Sequence, residues 1–184
     1  MCHVLHPAIR EARSWCWADD AVARTLLHAL KYDGWTAAAG PVAYGMRSIR
    51  PTRALAASTC LLPVPLAPGR LRNRGYNQAE LLAEHLARLW QCAIVPDAIE
   101  RLRETPSQTQ LTRSDRFANV ASAFAVTAAG VSRLRGTSCV LVDDVMTTGA
   151  TLNACAAALD AVGVEAIAAV TFGRARDPRA TTPA

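Results

Sequence analysis

The sequence predicts an α/β fold: a central, mostly parallel sheet flanked by helices, with a long polar loop as a lid. Three observations point there. Residues 139–142 (Cys-Val-Leu-Val) form a continuous apolar run, as expected of a strand covered on both faces. From Thr151 the spacing turns helical, with Ala154, Cys155, Ala158, Leu159 and Val162 on one stripe and Gly163 as the stop. A second strand–loop–helix unit starts at residues 59–64 and continues into a helix that opens after Asn77.

In chain order, residues 1–17 show no periodicity and are read as a segment of unclear structure. Cys2, His3, His6 and Cys16 there fit no usual metal-ligand spacing. Asp19 or Asp20 is the expected N-cap of a helix with Val22, Leu26, Leu27 and Leu30 on one face, ending near Gly34. A second helix is expected over 36–49, where Pro41 is tolerable close to the start. The strand at 59–64 ends in Pro63 and Pro65, which forbid a regular continuation. Residues 67–76 are expected to form an arginine-bearing loop. Asn77 and Glu80 form a capping pair for a helix carrying Ala79, Leu82, Ala83 and Leu86.

Short strands are expected at 93–95, 99–102 and 122–127, turns at Gly130 and Gly136, and a last strand at 164–172. Residues 103–119 are polar and unpatterned, and such an insertion in a compact α/β domain suits a lid. The organisation expected is one domain over 18–175 and a flexible tail over 176–184.

Composition bounds the function. At 184 residues and 51% apolar content the chain can build a single real core. No apolar run approaches the roughly 18 residues of a membrane span. The first 13 residues carry His and charge instead of an apolar signal core, so a cytoplasmic location is expected. Cys60, Cys139 and Cys155 lie in apolar segments and read as small buried hydrophobes. A net charge of +5 suits a polyphosphate ligand. Direct nucleic-acid binding is the lesser reading, because aromatic content is 5% and no stacking platform is visible.

The chemistry concentrates in residues 140–151. A buried strand ends in Asp143 and Asp144, and Thr147, Thr148, Gly149, Ala150 and Thr151 follow at a helix N-terminus. Backbone N–H groups and hydroxyls there form a seat for a dianionic phosphate. The carboxylates, at the strand's carboxyl end, are acceptors for a sugar diol. An ordinary βα turn with solvated aspartates is the bland alternative, but two carboxylates on a buried strand are costly without a purpose. No Walker A loop occurs. Arg70, Arg72 and Arg74, together with Lys31, the sole lysine among 20 basic residues, are candidates for a pyrophosphate. Gln108, Arg113 and Arg116 are the lid candidates.

The order of strand, Asp-Asp, two hydrophobics and Thr-Thr-Gly-x-Thr resembles the phosphoribosyl-diphosphate (PRPP) motif of type I phosphoribosyltransferases. Pro63-Val64-Pro65-Leu66 and Arg72-x-Arg74-Gly75-Tyr76-Asn77-Gln78-Ala79 are similar to the signature of the ComF/GntX family, phosphoribosyltransferase-like proteins linked to bacterial competence and DNA uptake. Leu30-Lys31-Tyr32-x-Gly34 upstream fits, as do Thr105, Gln108, Leu111, Arg116, Asn119 and Phe124 downstream. The resemblance spans roughly 22–171.

It implies a type I phosphoribosyltransferase-like fold that binds PRPP or a ribose 5-phosphate. Mg2+ would be carried by the substrate near Asp143 and Asp144. The phosphoribosyl group would pass to an acceptor the sequence does not name. The alternative it implies is a non-catalytic adaptor in DNA uptake that retains the ribose-phosphate pocket. A DNA-uptake helicase or another competence protein is then the expected partner, with a dimer among the open oligomeric states. Family members usually begin with a four-cysteine zinc module; this chain starts too late to hold one, so no structural zinc is expected in it.

Overall fold

A computed structural model describes residues 5–52, 59–102 and 123–176. The main sheet has five strands: β1 (Ile9–Trp17), β2 (Cys60–Pro63), β3 (Ala93–Ile94), β6 (Ser138–Met146) and β7 (Ala166–Arg174). Their order is β1-β7-β6-β2-β3 and every pairing is parallel. β4 (Ile99–Arg101) and β5 (Phe124–Val126) form a separate antiparallel pair. The helices are α1 (Ala21–Tyr32), α2 (Ala39–Met46), α3 (Pro68–Arg74), α4 (Gln78–Trp90), α5 (Ala128–Leu134) and α6 (Ala150–Ala161).

Alternation along the strands builds a core on each face. Leu61, Val140, Val142, Ala168, Val170 and Phe172 pack against Leu30 of α1, Val42 and Met46 of α2, and Leu82 and Leu86 of α4. Cys60, Leu62, Cys139, Leu141, Ile167 and Ala169 pack against Leu134 of α5 and Leu152, Cys155 and Leu159 of α6. Full burial of each large aliphatic side chain is worth about 1.5–3 kcal/mol, so the apolar run of β6, clamped from both sides, anchors the fold. As expected, Cys60, Cys139 and Cys155 are buried free thiols.

The chain departs from the sequence reading in four places. Residues 9–17 are not irregular: they make β1, an edge strand bonded along β7. A register shift between Ile9 and Glu11 breaks the alternation that would have revealed it. Residues 67–76 are not a loop but contain α3, with Pro68 in its first turn and Gly75 closing it at φ 81°. Gly130 is not a turn residue; it lies inside α5, where a Cβ would collide with the Ala98 carbonyl. The helix expected over 36–49 is α2 alone, with a 3-10 turn at each end.

From β2 the chain moves outward to β3 through α4, whereas from β6 it moves the opposite way to β7 through α6. The strand order therefore reverses between β2 and β6, and the carboxyl ends of those strands flank the crevice in which open α/β sheets bind ligands.

Candidate functional site

A cleft of about 910 Å³ opens at this reversal point. Its lining includes Asp143, Asp144, Thr147 and Thr151 from the end of β6 and the start of α6, Arg70 and Arg74 from α3, Gln78 from α4, and Lys31 from α1.

β6 runs through both aspartates, so the pleat sends them to opposite faces. Asp144 shares the face of Val140 and Val142 and meets α1, its Oδ2 lying 2.9 Å from Lys31 Nζ. Asp143 continues the side of Cys139 and Leu141. Its Oδ1 accepts a hydrogen bond from the Asp144 N–H at 2.8 Å. Burial, reinforced by the Asp144 charge, pushes the Asp143 carboxyl up to about 7. Arg101 and Lys31 oppose that rise. Burial likewise raises the Cys155 thiol, which makes it a packing group and not a nucleophile.

The loop after β6 is short. Gly149 turns it at φ 79°, and a Cβ there would press on Leu5 Cδ2 at 2.8 Å. The N-cap of α6 is Gly149, which has no side chain to cap with, in contrast to α1, α4 and α5, whose caps are Asp20, Asn77 and Thr127. Thr147, before α6, and Thr151, in its first turn, both line the cleft, and a helix N-terminus bearing hydroxyls is suited to an anion. Thr148 Oγ1 accepts from the Ala150 N–H at 3.4 Å, Gly149 and Ala150 are buried, and these three do not line the cleft.

The arginines divide by helical phase. Arg70 and Arg74 are one turn apart on α3 and both line the cleft; Arg72, on another face, does not. Lys31 lines the cleft but is held on Asp144. Gln108, Arg113 and Arg116 lie outside the described residues.

Several lining residues escaped sequence reasoning. Arg101, at the end of β4, reaches the cleft near Asp143 and rests over the Phe124 ring at 5.2 Å. An arginine at the end of a short strand, before a polar stretch, gives no signal in sequence. Tyr76 donates from its hydroxyl to the Leu30 carbonyl at 2.8 Å, which ties the end of α1, and so Lys31, to the entrance of α4. Asn77 caps the Ala79 N–H and donates from Nδ2 to the Val64 carbonyl at 3.0 Å. The two sequence signatures around residues 30–34 and 72–79 are thus one physical contact.

A parallel sheet that reverses at a cleft holding two carboxylates and a threonine-flanked helix end defines a phosphoribosyltransferase-type domain. Residues 73–182 match the phosphoribosyl transferase domain family, and the chain belongs to it. Within that class it is a ComF-family protein. It is 35% identical over 130 residues to competence protein F of Haemophilus influenzae, covering 71% of this chain and 56% of the relative. It is 37% identical over 92 residues to the DNA utilization protein YhgH of Escherichia coli O157:H7, covering 50% of this chain and 39% of that protein. The chain spans about half the length of the curated relatives it matches.

Proposed function

We propose that the cleft binds PRPP, or a related ribose 5-phosphate, and that the protein transfers the phosphoribosyl group to an acceptor. One observation carries this reading: Asp143 and Asp144, near the carboxyl end of β6, line one open cleft together with Thr147 and Thr151 at the start of α6. A phosphate on the α6 amides puts the ribose hydroxyls within reach of the carboxylates. Ionised carboxylate there stabilises positive charge that develops on the sugar as the C1–O bond to pyrophosphate breaks. Arg70 and Arg74 face the departing pyrophosphate.

Magnesium fits this donor set. Among the described residues no group of three His, Cys, Asp or Glu side chains could cage an ion. Magnesium keeps its waters and travels on substrate phosphates, needing only one or two carboxylates. When bound it would neutralise the leaving group. Asp143 and Asp144 are the residues placed to receive it.

The adaptor reading keeps one observation in its favour. Lys31 already occupies an oxygen of Asp144, so part of the acidic pair is engaged by the protein itself. The names of the relatives, a competence protein and DNA utilization proteins, motivate a role in DNA uptake under either reading, with another competence protein as partner. No helix among the described residues is long and apolar enough to cross a membrane.

Calorimetry with PRPP and Mg2+, followed by a pyrophosphate-release assay on a panel of nucleobases, tests both. Binding with turnover supports the transferase, and binding without turnover on any base supports the adaptor. Unchanged PRPP affinity in the Asp143→Asn, Asp144→Asn double variant refutes the site.

A further inference from the structure

Two neighbouring amide side chains at the start of α4 have opposite fates. Asn77 is 7% exposed and spends its oxygen on the Ala79 N–H and its nitrogen on the Val64 carbonyl. Gln78 is 1% exposed and lines the cleft, yet its Nε2 has no hydrogen-bond partner among the described residues. An unpaired buried donor carries a desolvation penalty that an apolar side chain of the same size would avoid. The fold gains nothing from this nitrogen.

Its surroundings say what would satisfy it. Gln78 is the first residue of a 13-residue helix, at the end where the backbone dipole favours negative charge. Arg70 and Arg74 line the same cleft. Asp143 and Asp144 line the cleft too, but neither accepts from Gln78 Nε2; a donor without an acceptor, with positive and partial positive charge nearby, fits an anionic oxygen with free lone pairs.

We propose that Gln78 is a ligand-binding residue of the cleft, its side-chain amide donating to a phosphoryl oxygen of the bound sugar phosphate. This rests on the ribose-phosphate reading above. The oxygen belongs either to the 5-phosphate or to the diphosphate, and the ligands used in the test separate the two.

The test is calorimetry of wild type, Gln78→Leu and Gln78→Glu with PRPP, ribose 5-phosphate and pyrophosphate, each with Mg2+, alongside thermal melts. A hydrogen bond to a charged acceptor makes the expected loss of PRPP affinity in Gln78→Leu about 10-fold or more. Gln78→Glu, nearly identical in shape, loses more through charge repulsion. The melting temperature of Gln78→Leu stays at or above wild type, because the variant removes an unpaired polar group. Weakened binding of ribose 5-phosphate places the oxygen on the 5-phosphate, and weakened binding of pyrophosphate places it on the diphosphate. PRPP binding within twofold of wild type in both variants overturns the assignment of Gln78 and leaves the wider reading intact. So does a loss of affinity in Gln78→Leu that comes with a lowered melting temperature and is absent from Gln78→Glu. Failure of the wild type to bind PRPP refutes the wider reading itself.

Discussion

Lys31 Nζ lies 2.9 Å from Asp144 Oδ2, while Asp143, one residue earlier, is directed to the other face of β6. The lysine comes from the last turn of α1, where a cation also favours the helix dipole. Both partners are mostly buried, at 25% and 16% side-chain exposure, so the pair is only weakly screened by solvent. Lys31→Met leaves the Asp144 charge without its partner. The expected loss of stability is about 1–3 kcal/mol, read from urea unfolding at neutral pH. Lys31→Arg is expected to keep most of it. An unchanged midpoint in Lys31→Met would show that the pair contributes nothing.

Asp143 links stability to pH. Its ordinary value is 3.8 and burial raises it to about 7. Between those values the folded chain retains a proton that the unfolded chain has released. Stability contributed by the protonated acid is therefore full below the lower value and declines as pH rises through the upper one. Each unit of difference corresponds to about 1.4 kcal/mol. Asp143→Asn lacks this slope. Compared with wild type, it gains stability at pH 8 and loses the advantage near pH 4. Parallel unfolding curves for the two proteins across that range would refute the linkage.

What could be read from the sequence depended on how many faces of an element are covered. β6 is buried on both sides, so its apolar run and its terminal aspartates stood out. Cys60 and Cys139 were legible for the same reason. β1 covers one edge, mixes Glu11 and Arg13 with Trp15, and shifts register at its start; its pattern was lost. The arginines of α3 looked like a loop because Pro68 and Gly75 bound a helix of only seven residues. Arg101 and the Lys31–Asp144 pair join segments far apart in the chain, and no local spacing encodes such a meeting.

Gly130 gives a test of packing where a turn had been expected. It lets α5 approach the β4 entrance, and Thr127 N–H bonds the Ala98 carbonyl at 3.0 Å. A Cβ at position 130 meets that carbonyl and, at 2.9 Å, Val126 Cγ1. Backbone on one side and a β-branched side chain on the other leave little room to yield. Gly130→Ala is expected to destabilise by about 1–3 kcal/mol despite the higher helix propensity of alanine. A raised melting temperature would mean that α5 is free to move away.

Asn77 is the joint between β2 and α4, and its two bonds can be separated. Its Oδ1 accepts from the Ala79 N–H at 3.1 Å as a helix cap, and its Nδ2 fixes the Val64 carbonyl just beyond the end of β2. Asn77→Ala removes both in a buried position and is expected to cost about 2–3 kcal/mol. Asn77→Asp keeps an acceptor for the cap but sets a carboxylate against the Val64 carbonyl. It should therefore retain α4 while loosening the wall that carries Gln78. Chemical denaturation gives the energies, and hydrogen exchange at the Ala79 amide reports the cap alone. If Asn77→Asp matches wild type in stability, the contact with Val64 is dispensable, and the cap by itself sets where α4 begins.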